Sequence, residues 1–557
     1  MAWYDESVFY HIYPLGLTGA PKHNEYGEPV HRLRTLIPWV SHLEQLGFTG
    51  LYIGPLFESV GHGYETTDYW KVDSRLGTNE DLRDLVSACH AAGIRVILDG
   101  VFNHTGRDFF AFRDLQKNRE GSPYRDWYCN VDFRGDNEYA DGFSYGNWGG
   151  YNLLVKLNQR NPAVRDYFCD VVRFWADAFD IDGIRLDAAD VLDFDFMRLL
   201  RQTANGIKKD FWLMGEVIHG DYSRWANADT LHSVTNYALH KALYSGHNDR
   251  NYFEIAHTVR RTNELVPSDI RLYNFVDNHD VERICTKLRS PAHFLPVHVL
   301  LYALPGIPSV YYGSEFGIEG RKERGSDDSL RPQISLAEHA DDIRTNPCTR
   351  LIAALGRICS VYGELAWGDY RELHLTTGQF AFARGCLVAA VNNADQAVEI
   401  TVPASGEEYA GLLSGKRVQA CGGRMCLRLE ANEGEIFAPA DARYRAYLEE
   451  DSARTCIAQA QTQPDGSPAD GEKSGASEGS GSLQACFARQ TAWEEASGAA
   501  VAAVPVPDLP YEQMSVEQLQ AVILGKMERN GNVTERMRRD VAENIWHDSL
   551  VNWAKSF

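Results

Sequence analysis

The feature that most limits how this chain can fold is an alternation running through its first two-thirds. Short, nearly continuous apolar runs alternate with stretches of helical periodicity. Residues 8–13, 50–54, 95–100, 181–187, 211–217, 272–276 and 309–312 have the length and side chains of buried strands. Helical patterns lie between them at residues 79–92, 161–179 and 193–204, with Asn79 placed to cap the first and Gly93 to stop it. Strands that are apolar on both faces and separated by helices predict a parallel sheet covered on both sides. About eight such units over roughly 350 residues predict an α/β fold, a (β/α)8 barrel with insertions.

The alternation breaks twice. Residues 104–158 turn into Gly, Asn, Tyr and Trp with no clear helix, directly after the third strand. A segment that long predicts a small subdomain over the catalytic face, dividing the barrel into residues 1–103 and 159–362. From about residue 370 the runs become short and alternating, at 371–376, 380–384, 387–392 and 399–403. They predict an antiparallel β-sandwich spanning residues 363–440. Residues 441–510 contain a tract rich in Ala, Ser, Gly, Gln and Pro and read as a flexible linker. Residues 511–557 read as a helical hairpin. Ser515 and Gln518 form a capping box, Leu519, Ile523 and Met527 one apolar face, and Met537, Val541, Ile545 and Trp546 a second. That tail either docks on its own parent domain or forms a contact with a partner or a second copy.

Bulk properties narrow the function. The net charge of −22 shows no basic footprint, so nucleic acid is not expected as a partner. No run of about 18 apolar residues predicts a membrane span. The first residues lack the basic start and apolar run of a signal peptide. The 11 cysteines are odd in number and dispersed, with no zinc-like spacing, which suits a reducing compartment. The expected location is therefore the cytoplasm.

Polar residues at the C-terminal ends of barrel strands face the active site. Four predicted strands end in acids, histidines and arginine. They are Asp99 with Asn103 and His104, Arg185 with Asp187, Gly215 with Glu216, and Asp277-Asn278-His279-Asp280. A single strand-end Asp is usually a loop cap, and Asp182, Asp190, Asp193 and Asp195 are read that way. Four such ends in series are a joint signal. Arg185 lies two residues before Asp187, so period-two geometry points both side chains the same way, and the guanidinium can hold the carboxylate ionised.

These segments resemble the four sequence regions of the α-amylase family of glycoside hydrolases, in the family's order. His62-Gly63-Tyr64 and Thr67-Asp68-Tyr69 match a further segment, and the resemblance covers roughly residues 5–440. Residues 154–158, 187–201 and 215–219 are similar to those of the neopullulanase, cyclomaltodextrinase and maltogenic amylase group. That group usually carries an N-terminal β domain used in dimerisation. This sequence opens directly on the barrel, so that dimer is not assumed.

The resemblance implies retaining hydrolysis of α-1,4 bonds in maltodextrins, cyclodextrins or related short α-glucans. Asp187 would attack the anomeric carbon, Glu216 would act as general acid and base, and Asp280 would stabilise the transition state. Tyr64 would stack under the sugar, His62, His104, Arg185 and His279 would complete the substrate contacts, and Asp99 and Asn103 would support them. No cofactor is required by this reading. The Lys-His pair that follows the nucleophile in many α-amylases is replaced here by Asp190-Val191, which removes one calcium ligand, while Asn103 stays a candidate ligand. The alternatives are an α-glucanotransferase or an α-1,6-acting glucosidase on the same residues, and a non-catalytic carbohydrate-binding relative. An aldolase or metal hydrolase would need a strand-end Schiff-base Lys or a His-rich cluster, and neither is present.

Overall fold

The computed structural model describes residues 2–449. The expected helical hairpin at 511–557, and most of the expected linker, lie outside the described residues. The chain is helical over residues 442–449, with Tyr444 and Tyr447 buried, so the stretch read as linker from residue 441 is ordered at least that far.

Eight strands form the barrel: β1 (Phe9–Ile12), β2 (Gly50–Ile53), β3 (Arg95–Gly100), β4 (Gly183–Leu186), β5 (Trp212–Gly215), β6 (Ser233–Val234), β7 (Tyr273–Phe275) and β8 (Ile307–Tyr311). Their order is 6-5-4-3-2-1-8-7, with parallel neighbours throughout. A parallel bridge from Thr235 to Tyr273 closes the ring, where the Asn236 N–H donates to the Tyr273 carbonyl at 2.9 Å. β6 has only two residues, within the polar stretch His232-Ser-Val-Thr-Asn236. It therefore lacks the apolar run by which the other seven strands are recognised.

Period-two alternation divides each strand between two environments. Phe9, Tyr52, Ile97, Trp212, Met214, Tyr273, Phe275 and Ile307 pack together inside the barrel. Tyr10, Leu51, Leu98, Ile184, Leu213 and Val310 join the large cluster beneath the helices. Residues two positions beyond the inner hydrophobics therefore also face inward, at the C-terminal rim. Asp99 follows Ile97, and Glu216 follows Met214. Arg185 is register partner to both Asp99 and Met214.

The surrounding helices lie close to the expected stretches, but the first is capped one residue earlier than expected. α1 (Asn79–Ala91) is capped by Thr78, whose side chain accepts from Asp81 N, while Asn79 is its first helical residue and accepts from Val72 N. Gly93 follows the helix with φ +74°, the left-handed conformation that favours glycine. α2 (Pro162–Phe179) and α3 (Phe194–Ile207) are capped by Asn161 and Asp193.

The insertion after β3 pairs His104–Thr105, Tyr151–Lys156 and Asn147–Trp148 in a three-stranded antiparallel sheet. It also contains a helix, Phe110–Asn118, which corrects the expectation of none. Its buried face, Ala111, Phe112 and Leu115, is one stripe of a nine-residue element, too short to show periodicity among the flanking aromatics.

After the barrel, eight strands form an antiparallel sandwich: β9 (Tyr370–Leu375), β10 (Gln379–Arg384), β11 (Leu387–Asn392), β12 (Val398–Pro403), β13 (Glu408–Gly411), β14 (Arg417–Cys421), β15 (Arg424–Leu429) and β16 (Gly434–Pro439). It has its own core around Val388, Ile400, Leu427 and Phe437. No helix among the described residues is long and apolar enough to cross a membrane.

Candidate active site

The strand ends converge on one guanidinium. Arg185 is buried, and its Nη1 donates to Asp99 Oδ1 and Oδ2 at 2.8 and 3.0 Å and to Asp187 Oδ1 at 3.0 Å. Its Nη2 lies 2.9 Å from Glu216 Oε2. Three acids from three adjacent strands thus share a single cation, which compensates for their burial. Tyr52 Oη donates to Asp99 Oδ2 at 2.7 Å and fixes that carboxylate from below. Directly after Asp187 the chain turns through Ala188 at φ 46°, ψ 42°, a left-handed conformation costing about 1–2 kcal/mol for a residue with a Cβ. The Ala188 N–H donates to Glu216 Oε2 at 3.0 Å.

Asp280 approaches from the other side. Its Oδ2 lies 3.1 Å from His279 Nε2 and its Oδ1 lies 2.9 Å from Arg331 Nη2. Tyr64 Oη is hydrogen-bonded to His279 Nε2, and the two rings stack with centroids 5.6 Å apart. Tyr64 Oη also reaches Asp99 Oδ2 at 3.3 Å. His104 is buried beneath this pair. Its Nε2 lies 3.1 Å from the Tyr64 carbonyl and its Nδ1 3.1 Å from Asn103 Nδ2, so both ring nitrogens are engaged with protein. In this arrangement His104 holds the Tyr64 backbone. His62 stands at the edge, its Nδ1 3.1 Å from Glu65 Oε2 and its side chain 45% exposed.

The electrostatics follow from this crowding. Burial pushes the Asp187 carboxyl well above its ordinary range. Arg185 pulls against that, while Glu216, Asp99 and Asp280 reinforce it. Asp187 and Glu216 bind the same guanidinium, at 3.0 and 2.9 Å. Burial would also raise Asp280, but His279, Arg331 and Arg185 overcome it and hold the carboxyl well below the usual range. Burial drives His104 down to about 3, so its ring is neutral.

Two contributors carry no sequence signal. Arg331, from the loop after β8, also bonds Asp327 Oδ2 at 3.1 Å and the His279 carbonyl at 3.0 Å, and it lies over the Tyr13 ring. Its stretch of chain has neither strand pattern nor motif. Tyr237 follows β6, and its Oη lies 3.3 Å from Glu216 Oε1. Recognising β6 would have placed it at a strand end. Two of the acids read as structural serve in that way. Asp193 caps α3, and Asp182 binds His90 at 2.7 Å, Arg95 at 3.0 Å and Lys208 at 3.2 Å.

A calcium ion does not fit the donors present. Asn103 Oδ1 is buried without a hydrogen-bond partner, but no group of three His, Cys, Asp or Glu side chains among the described residues could hold a metal. One amide oxygen without carboxylates is a poor site for a hard divalent cation.

Comparison with known proteins agrees with this geometry. Residues 30–349 match the α-amylase catalytic domain model. The chain is 30% identical to a cyclomaltodextrinase of Geobacillus thermopakistaniensis, over 77% of this chain and 76% of that protein. It is 32% identical to neopullulanase 2 of Thermoactinomyces vulgaris, over 78% of each. Among solved structures, Ttha1563 from Thermus thermophilus superposes with a TM-score of 0.69 at 29% identity, covering 79% of this chain and all of that one. A family model spanning more than half the chain, fitted to a barrel whose strand ends gather four carboxylates, leaves one assignment: the chain belongs to the α-amylase family of glycoside hydrolases.

Proposed function

We propose that the protein hydrolyses α-1,4-glucosidic bonds of maltodextrins, cyclodextrins or related short α-glucans by double displacement at Asp187 and Glu216. The observation that carries this reading is the shared contact of both carboxylates with Arg185, at 3.0 and 2.9 Å. Two carboxyls on one guanidinium are close neighbours, which suits the retaining spacing of about 5–5.5 Å better than the wider inverting gap.

The roles divide by partner. Asp187, at the end of β4, attacks the anomeric carbon and forms a glycosyl ester. Glu216 donates a proton to the departing sugar oxygen, and Asp187 attacks in its ionised form beside Arg185. Glu216 then takes a proton from water as it attacks the ester. Asp280, kept ionised by His279 and Arg331, faces the positive charge that builds on the ring. Tyr64 supplies an aromatic face. A cytoplasmic location suits the free thiols, which include every cysteine among the described residues.

Product analysis tests the activity. Maltoheptaose, β-cyclodextrin and pullulan are incubated separately with the purified protein. Glucose and maltose are the expected end products from the first two. Products longer than the maltoheptaose supplied would make the protein a glucanotransferase, and turnover restricted to α-1,6 bonds would overturn the linkage assignment.

Arg331 has a role to test as well. Arg331→Leu removes a charge-assisted hydrogen bond from Asp280, worth about 1.5–3 kcal/mol. The expected result is a kcat/KM reduced by roughly 10- to 100-fold, with the acid limb of the pH profile displaced upward as Asp280 becomes easier to protonate. An unmoved acid limb would show that Arg331 does not govern the charge of Asp280.

A further inference from the structure

We propose that Tyr237 is a positioning residue for the general acid and base, and that its hydroxyl donates to Glu216 through a hydrogen-bond relay aimed by Asn278. The inference rests on the role proposed above for Glu216.

The relay has a fixed direction. Asn278 Oδ1 accepts from the N–H groups of Asp280 at 2.8 Å and Val281 at 3.1 Å. That identifies the oxygen end of the amide and turns Nδ2 towards Tyr237 Oη, 3.1 Å away. An amide nitrogen only donates, so the Tyr237 oxygen accepts. Its single proton is then directed to Glu216 Oε1 at 3.3 Å. Burial and the neighbouring Glu216 and Asp280 carboxylates push the Tyr237 phenol well above its ordinary range, so the proton stays on the tyrosine.

The two oxygens of Glu216 are held differently. Oε2 is bound by Arg185 and the Ala188 N–H. Oε1 faces Tyr237, and the relay sets its orientation. The other charged groups facing Glu216 are Arg185 and Asp187 from β4 and Asp190 from the turn after it, while Asp280 faces the tyrosine itself. Among these, Arg185 and Tyr237 present hydrogen-bond donors to the carboxylate, and Asp187 and Asp190 place negative charge beside it. Tyr237 therefore helps Glu216 to accept and release its proton within one catalytic cycle. Because Asn278 also caps the Asp280 N–H, the relay joins the acid/base to the loop that carries the third carboxylate.

The test has two readouts on Tyr237→Phe, with a thermal melt to establish folding. The first is the pH profile of kcat/KM on maltoheptaose. Loss of a donor to the ionised form should move the alkaline limb up by about one pH unit and leave the acid limb in place. The second is the titration midpoint of the Glu216 carboxyl carbon in ¹³C-glutamate-labelled protein, assigned by its loss in Glu216→Gln; it should rise by the same amount. If neither moves in folded protein, the proposal is overturned. If the carbon midpoint rises and the activity limb does not, the relay stands and the acid/base role of Glu216 is what fails. Should Tyr237→Phe not fold, Asn278→Ala removes the aim of the relay, and the same carbon midpoint should rise. An unchanged midpoint there overturns the proposal too.

Discussion

Asp187→Asn is expected to lower turnover of maltoheptaose by roughly 10⁴-fold or more while the protein keeps its fold, because the substitution removes the nucleophile and preserves its shape. The surroundings support the second half of that expectation. Arg185 keeps its two bonds to Asp99 and its contact with Glu216, so the buried guanidinium is not left unpaired. The cost to stability is one charge-assisted bond at 3.0 Å, partly replaced by the amide oxygen. Burial already opposes the charge on Asp187, so a neutral side chain also relieves desolvation there. The melt should stay within a few degrees of the parent protein while activity disappears. A smaller companion change, Asp187→Ala, makes the result specific to nucleophilic catalysis. With the carboxylate gone, azide can attack from the same face and give a glycosyl azide of inverted configuration. Near-normal turnover by the Asn variant would remove Asp187 from the mechanism.

How much of this site can be read from the sequence depends on where each residue sits relative to a strand. Asp99, Arg185, Asp187 and Glu216 lie at or directly beyond apolar runs with clear period-two facing, so their convergence at one rim follows from strand geometry, while Asp280 stands in the loop after β7 and is legible only from its motif. Tyr237 follows a strand of two residues inside a polar stretch. The barrel's curvature and its neighbours β5 and β7 impose that strand, and local sequence does not. Arg331 is further from prediction, since it reaches Asp280 from an irregular loop through tertiary contacts with Tyr13 and Asp327. His104 shows a different limit. Its position is evident from the motif, but its hydrogen bonds to Asn103 and Tyr64 depend on how the insertion folds over β3. The helix Phe110–Asn118 was hidden for the reason that hides many short helices: its apolar stripe is three residues long and its flanks are aromatic.

The same burial that builds the site should make the protein labile in mild acid. His104, His240, His247 and His298 are buried, and burial lowers their rings to about 3, 3, 3 and 4 respectively. In the unfolded chain they titrate near the ordinary 6.5. Below that value the unfolded state binds protons that the folded state refuses, so stability falls as pH falls from 6.5 towards the folded values. By pH 5 each ring costs roughly 2 kcal/mol. Asp187, raised well above its ordinary range, gains its proton in the folded state first and acts in the opposite sense. Asp277 and Glu435 are also raised and act in the same sense as Asp187. Before that offset the four rings cost roughly 8 kcal/mol, a large part of a net stability of about 5–15 kcal/mol. The net loss should appear as a melting temperature lower at pH 5 than at pH 7.5 by roughly 10 °C. His298 offers a local control. Its Nδ1 bonds the Phe294 carbonyl at 2.7 Å and its Nε2 has no partner. His298→Asn leaves an amide that can donate to that carbonyl and cannot be protonated, so the variant should lose less of its melting temperature on acidification than the parent does. A flat profile between pH 7.5 and 5 would mean that the buried rings are hydrated or already protonated in the native state, and it would also remove the neutral His104 on which the positioning of Tyr64 depends.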